Sequence, residues 1–306
     1  MSCHKVILIL ILISSSKIFA DDYLNDDGLK FIVVGDWGRK GEYFQKDVAN
    51  QMAIVSEKVK VSFIVSTGDN FYDNGVSSTE DELWKLSFTD IYNHKSLQIP
   101  WYVSLGNHDY RSNPQAEIDY TSKSSIWNMP SRYFTIDKKS NDGTNVKLIF
   151  IDSNPFIKDY HSEAKYSNQV KDQDTLKQKL WLDSVLSISN ADLNIVVGHH
   201  PPLSSSPKHG GASEIYNLIQ GYGKTKKVKY TFWGHEHDLQ HQHLDNFPEV
   251  FVSGAGSECR ETSKNATTKF ALGKVGGFAL VSIENKKLSM QFIDFKGNVV
   301  YTYKSE

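Results

Sequence analysis

The sequence predicts an α/β fold, a two-sheet sandwich flanked by helices, and three features of its pattern carry that prediction. Five strand-like apolar runs each end in a glycine followed by a polar residue with a charge or lone pair to offer. Between the first of these runs lies a stretch with apolar residues at helical spacing, the βαβ arrangement of a parallel sheet. From Val250 onward the texture changes to short alternating runs, the mark of antiparallel strands.

Residues 29–34 read as the first strand, with Asp36, Trp37, Gly38 and Arg39 as its loop and Trp37 as a wall. Residues 45–58 place Val48, Met52 and Val55 on one helical face and return the chain to a second strand at 61–65, rich in β-branched and aromatic residues. Thr79 with Glu82 three residues on is a capping box, predicting a helix to about Tyr92 with Leu83, Leu86 and Ile91 inward. Residues 99–105 are the third strand. Residues 110–132, polar and broken by Pro114 and Pro130, predict an irregular surface excursion.

Residues 146–151 form a further strand ending at Asp152, which lacks a preceding glycine and is given a structural role. Residues 174–187 read as a helix with Leu176, Leu180 and Val185 as its apolar positions and Trp181 beside them. Strands follow at 194–197 and 228–233. Beyond Val250, runs at 251–253, 278–283, 288–292 and 299–303, punctuated by Glu284-Asn285 and Lys296-Gly297, predict an antiparallel second sheet. With no internal repeat and no break in composition, residues 21–306 are expected to form a single domain.

Composition bounds the function. The 306 residues are 39% hydrophobic and 12% aromatic, which excludes a disordered chain. The formal net charge of −2 gives no electrostatic reason to bind nucleic acid. At the amino terminus Lys5 precedes the apolar residues 6–13, then Ser14 to Ala20, then Asp21 and Asp22. An apolar core that short cannot cross a hydrocarbon layer of roughly 30 Å, so residues 1–20 are expected to be a secretory signal cleaved after Ala20. The mature chain is then exported, to an extracellular, periplasmic or lysosomal/vacuolar space, with no stable membrane span and as a monomer. Cys3 falls in the leader, and Cys259 alone makes no intrachain disulfide. Asn265-Ala266-Thr267 is a glycosylation sequon.

The strand ends carry the chemistry. They read Gly35-Asp36, Gly68-Asp69-Asn70-Phe71-Tyr72, Gly106-Asn107-His108-Asp109, Gly198-His199 and Gly234-His235-Glu236-His237. Each alone reads as a turn or a helix cap. Independent turns would draw as readily on Ser and Pro. Parallel strands deliver their carboxyl ends to one crevice, and glycine permits a close backbone approach there. Asp36, Asp69, Tyr72, Asn107, His199, His235 and His237 are therefore candidate metal ligands; His241 and His243, without a strand and glycine before them, are not. Seven ligands exceed the coordination of one ordinary ion but serve two ions that share Asp69. A metal pair of this kind suits hydrolysis of phosphoesters.

These motifs resemble the metallophosphoesterase superfamily and, within it, purple acid phosphatases of the low-molecular-weight, tartrate-resistant type, over about residues 30–237 and more faintly beyond. Tyr72 points to that subfamily, since the wider superfamily usually places a histidine in the first motif where Trp37 and Gly38 stand here. The resemblance implies an α-β-β-α fold and an enzyme hydrolysing phosphomonoesters to inorganic phosphate by attack of a metal-activated hydroxide. It implies ferric iron held by Asp36, Tyr72, His237 and the bridging Asp69, and a divalent iron, zinc or manganese held by Asp69, Asn107, His199 and His235. Hard phenolate and carboxylate suit the trivalent ion, amide and imidazole the divalent one. His108 and His209 would bind phosphate and assist the leaving group. The segment 200–208, ahead of His209, differs in length from the loop many relatives carry, and no cysteine pair is available to brace a regulatory loop. Two alternatives stand beside this reading: a phosphodiesterase or nucleotide hydrolase of the same superfamily, and a non-catalytic secreted scaffold on the same fold.

Overall fold

The computed structural model describes residues 23–225 and 227–306; the expected leader and its cleavage position lie outside the described residues. The first half of the chain runs β1 (Leu29–Val34), α1 (Gln45–Val59), β2 (Phe63–Ser66), β3 (Trp101–Val103), α2 (Pro114–Tyr120), β4 (Trp127–Asn128), β5 (Phe134–Lys139) and β6 (Asn145–Phe150). Then follow α3 (Ala164–Val170), α4 (Thr175–Ile188), β7 (Leu193–Val197), α5 (Ser213–Lys224), β8 (Tyr230–Trp233), β9 (Leu239–Gln242) and β10 (Glu249–Ser253). The chain ends with β11 (Thr268–Leu272), β12 (Gly277–Glu284), β13 (Lys287–Asp294) and β14 (Val299–Lys304).

One seven-stranded sheet has the order β14-β13-β12-β1-β2-β3-β4 and the other β11-β9-β10-β8-β7-β6-β5, the two-sheet sandwich that the sequence pattern predicts. Strands β1 to β4 are parallel, and so are β6, β7, β8 and β10. Of these, β1, β2 and β8 are buried on both faces over almost their whole length, which is why they read as continuous apolar runs rather than alternating ones. Phe31 of β1 meets Phe232 of β8 across the sandwich, ring centroids 6.2 Å apart. Helix α1 turns Val48, Met52 and Val55 into this core and stops at Lys60, whose left-handed φ of 55° lets its N–H cap Ser56. On the outer face of the other sheet, Leu182 and Leu186 of α4 and Ile215 and Ile219 of α5 cover Val196 and Val252.

Several expectations need correction. The C-terminal strands do not make a sheet of their own: β12 pairs antiparallel with β1, Phe31 opposite Val281, so β12 to β14 extend the first sheet while β10 and β11 join the second. Local alternation marks a strand but not the distant edge it will meet. The expected helix over 79–92 shrinks to a wide helical turn, Trp84–Thr89; Thr79 bonds the side chain of Glu80, and Asp81 takes the N–H of Leu83 instead. Trp84 and Phe88, rather than Leu83 and Leu86, turn fully inward, Trp84 stacking on Tyr120. In α4, Leu176 and Leu180 are 63% and 58% exposed, and Gln178, Leu182 and Leu186 face in. Residues 110–132 include α2, with Pro114 in its first turn where a missing N–H costs nothing. Helix α5 and strand β5 were not anticipated. Trp37 is not a wall of any cleft: it is fully buried among Phe71, Phe88, Tyr92, Trp101 and Trp127. Asp152, also buried, accepts a hydrogen bond from the Tyr110 hydroxyl and is held by Gln178. Among the described residues no helix is long and apolar enough to cross a membrane.

Candidate metal centre

The parallel strands of both sheets aim their carboxyl ends at one place. Asp36 follows β1, Asp69 follows β2, Asn107 follows β3, His199 follows β7 and His235 follows β8. Three of these, Asp36, Asp69 and His235, hold left-handed φ angles of 60°, 53° and 69°, each directly after a glycine. Such a conformation costs a residue with a side chain about 1–3 kcal/mol, and it persists only where the surroundings fix it. Here they do: Asp36 N–H bonds Gly68 O at 2.9 Å, His235 N–H bonds Asp36 Oδ2 at 3.0 Å, and His108 N–H bonds Asp69 Oδ1 at 2.8 Å. The Asp69 and Asn107 loops touch backbone to backbone. A Cβ on Gly106 would lie 2.1 Å from Asp69 N, so only glycine fits there.

Two clusters result. In the first, the Tyr72 hydroxyl lies 2.9 Å from Asp69 Oδ2 and 3.1 Å from both Asp36 Oδ1 and His237 Nε2. One phenol proton satisfies at most one of these three contacts. Burial first, then the charge of Asp69, pushes the Asp36 carboxyl well above its ordinary range, and burial with both carboxylates does the same to the Tyr72 phenol. In the second cluster Asn107 Oδ1 faces His199 Nε2 at 3.2 Å and His235 Nδ1 at 2.9 Å. His199 donates its Nδ1–H to Thr67 O, and burial holds the ring below its ordinary pKa, so Nε2 presents a lone pair to the amide oxygen. Asp69 joins the clusters, Oδ2 at the phenol and Oδ1 3.5 Å from His199 Nε2. Electron-rich atoms crowded together without enough protons are the donor set a cation resolves, and these residues fit a pair of metal ions.

Supporting residues fix these atoms. Tyr166 hydroxyl accepts a hydrogen bond from Asn107 Nδ2 at 3.2 Å, turning the amide oxygen toward the histidines, and Arg111 holds Tyr166 in turn at 3.1 Å. Asp109 accepts the N–H groups of Asn70, Phe71 and Gly106, tying the two loops together. His200 sits within reach of His199 and His235, but Ser153 and Tyr160 occupy its two ring nitrogens at 2.8 and 2.9 Å. It therefore braces the cluster instead of joining it. Sequence reading missed Tyr166, Arg111 and His200; only His200, next to His199, carried a local signal.

His108 and His209 both line the cavity over the clusters, which measures about 300 Å³. His108 donates Nδ1–H to Asp73 O at 2.6 Å and packs on the Tyr72 ring, leaving Nε2 3.9 Å from Asp69 Oδ2. His209 lies against His235, ring centroids 4.4 Å apart. Of the nine residues singled out from the sequence, Asp69, Asn107, His108, His209, His235 and His237 line this cavity, and Asp36, Tyr72 and His199 lie buried against them; His241 and His243 lie elsewhere, paired with Glu249.

Comparison with known proteins agrees. The profile of the calcineurin-like phosphoesterase family matches residues 29–239. Purple acid phosphatase 4 of Arabidopsis thaliana is 37% identical over 91% of this chain and 84% of its own length. Tartrate-resistant acid phosphatase type 5 of Homo sapiens is 30% identical over 89% of each chain. Among solved structures, one described as "GAP50 the anchor in the inner membrane complex of Plasmodium" superimposes with a TM-score of 0.79 at 26% identity, over 91% of this chain and 89% of that one. A dimetal phosphatase from Danio rerio gives a TM-score of 0.59 at 12% identity, over 91% of this chain and 99% of that one, a likeness of fold. With its strand-tip clusters and these relatives, the chain belongs to the calcineurin-like phosphoesterase family, among the purple acid phosphatases.

Proposed function

We propose that this chain is an exported acid phosphatase that cleaves small phosphomonoesters at a binuclear centre of ferric iron and a divalent iron, zinc or manganese. One observation carries the reading: Asp69 turns one carboxylate oxygen to the phenol-containing cluster and the other to the imidazole-containing cluster. Asp36, Tyr72 and His237 would hold the iron, and Asn107, His199 and His235 the divalent ion, with Asp69 common to both. When bound, such a pair supplies Lewis acidity to water and to the phosphoryl oxygens. His108, its Nδ1–H tied to Asp73, has Nε2 free to hold a phosphate oxygen. His209, beside His235 on the cavity lining, would give its proton to the departing alkoxide oxygen; burial, then Arg260 and Lys208, lower its pKa to about 4, so this role belongs to acid pH. The cavity admits a small ester and its phosphate product.

The likeness to a structure described as an anchor supports a second reading, a scaffold without chemistry. Elemental analysis of the mature chain, with absorption spectra and hydrolysis of nitrophenyl phosphate at acid pH, separates the two. The enzyme reading expects iron plus one further transition ion per chain, a visible charge-transfer band and turnover. Less than one metal per chain after metal supplementation, and no turnover, would leave the scaffold. Export is checked by sequencing the amino terminus of secreted material, expected to begin at Asp21.

A further inference from the structure

We propose that Tyr166 is a further catalytic residue, its hydroxyl donating a hydrogen bond to an oxygen of the phosphoryl group under attack beside Asn107; the proposal rests on the phosphatase reading above. Tyr166 is 2% exposed and lines the cavity together with Asn107 and Arg111. A phenol oxygen carries one hydrogen and two lone pairs. Asn107 offers Oδ1 to His199 Nε2 and His235 Nδ1 at 3.2 and 2.9 Å, so the end that meets the Tyr166 hydroxyl is Nδ2, a donor, at 3.2 Å. Arg111 Nη2 is a second donor to the same oxygen at 3.1 Å, with Nε behind it at 3.4 Å. Both lone pairs are thereby engaged. The hydroxyl hydrogen itself has no acceptor among the described residues and is left for what occupies the cavity.

The surroundings make that hydrogen a strong donor in a fixed place. Arg111 has no carboxylate partner among the described residues, its other contact being Nη1 to the backbone oxygen of Asp73 at 3.1 Å. Its charge therefore acts through the phenol oxygen, and Lys165 Nζ, 4.8 Å from the ring centroid, draws on the same π system. The ring packs on that of Tyr160, centroids 4.1 Å apart, and Tyr160 is held in turn by His200 at 2.9 Å. In the hydrolysis, the oxygen of water bonds to phosphorus and the bond from phosphorus to the leaving oxygen breaks, while negative charge spreads over the three remaining phosphoryl oxygens. A donor already in position costs no reorganisation as that charge develops. The phenol keeps its proton throughout; the leaving oxygen takes its own from His209.

The test uses the metal-loaded mature chain at acid pH with inorganic phosphate as the probe. Phosphate Kd is read by equilibrium dialysis, metal content by elemental analysis, and kcat/KM on nitrophenyl phosphate, in the parent, in Tyr166→Phe and in a chain carrying a ring-fluorinated tyrosine at position 166. Tyr166→Phe should keep both metals while phosphate binding and kcat/KM each fall roughly 10- to 100-fold, the size of one hydrogen bond to a charged group. Ring fluorination makes the oxygen a poorer acceptor and its hydrogen a better donor, so phosphate should bind more tightly to that chain. A residue that only positions Asn107 responds the other way, since the bond from Asn107 Nδ2 weakens. Where Tyr166→Phe disturbs Asn107 and loses metal, the fluorinated chain decides alone. Phosphate affinity unchanged in metal-replete Tyr166→Phe overturns the assignment, as does affinity that fluorination leaves unchanged or weakens. A metal-loaded parent that neither binds phosphate nor hydrolyses nitrophenyl phosphate overturns the phosphatase reading and this role with it.

Discussion

The guanidinium carbon of Arg39 lies 3.8 Å from the centroid of the Tyr72 ring, and Glu258 and Asp73 hold it there at 2.7 and 3.3 Å. The other end of the same ring carries the hydroxyl that meets Asp36, Asp69 and His237. A cation over the ring face draws on its π electrons and lowers the energy of the orbitals from which charge would pass to iron. Replacing Arg39 with Gln should move the visible absorption band of the iron-loaded protein to longer wavelength at unchanged iron content. It should also cost about 1–2 kcal/mol of stability, read from thermal melts. A band that stays in place would show that the guanidinium is only structural.

Asp69→Ala removes the carboxylate common to both clusters. Metal content should drop by more than the ~10- to 100-fold loss of affinity typical for an outer partner, and turnover should vanish with it. His209→Ala should keep metals and colour while slowing turnover by roughly 10²–10⁴-fold. That loss should be large for alkyl phosphates and small for nitrophenyl phosphate, whose leaving group needs no proton. Equal losses on both substrates would move the proton donor to His108.

Helix α4 offers a packing test. Leu182 is buried and Leu180, two residues away, is 58% exposed. Leu182→Ala should destabilise by about 2–5 kcal/mol, whereas Leu180→Ala should stay within about 0.5 kcal/mol, both by denaturant titration. Similar losses would place the helix face where apolar spacing alone puts it.

Glu249 sets a pH dependence away from the cleft. Burial pushes its carboxyl up, but the N–H groups of His241 and His243, at 2.8 and 2.9 Å, outweigh burial and hold it below the ordinary glutamate value. A depressed carboxyl contributes stability that is present in full above the unfolded pKa, about 4.3, and lost as pH falls through the folded one. Glu249→Gln should therefore cost about 1–2 kcal/mol near pH 6, and the gap to the parent should close as the pH is lowered from about 5 to 3. A gap that stays constant over that range would mean that packing, not charge, is lost.

The strand ends were legible because one local pattern, apolar run then glycine then ligand-type residue, recurs wherever a parallel strand reaches the cleft. What was not legible depends on partners far away in sequence. Leu176 and Leu180 have helical spacing, yet the face of α4 is set by Gln178, whose amide bonds both backbone groups of Asp152 at 2.9 and 3.1 Å. Helix α5 had the spacing of Ile215, Leu218, Ile219 and Tyr222 to announce it, but Gly221 and Gly223 spoke against a helix. Tyr166, Lys208 and Arg260 reach the cavity from loops and a short helix with no periodic signal. The antiparallel pairing of β12 with β1 joins residues some 250 positions apart, and nothing local in either strand specifies it.

The left-handed turns at Asp36, Asp69 and His235 make the cleft a set of sockets cut in the main chain. Their outline is fixed by peptide hydrogen bonds, by glycines that leave no room for a side chain, and by the Asp36 and Asp69 carboxylates, which accept the N–H groups of His235 and His108. A lineage using this frame is freer to exchange the phenol and the imidazoles that plug into it, whose loss leaves those bonds in place, than Asp36 and Asp69, on which the turns themselves depend. Enzymes and an anchor sharing one architecture is the outcome such a division of labour permits, and reading the plugs, position by position, is what tells one kind from the other.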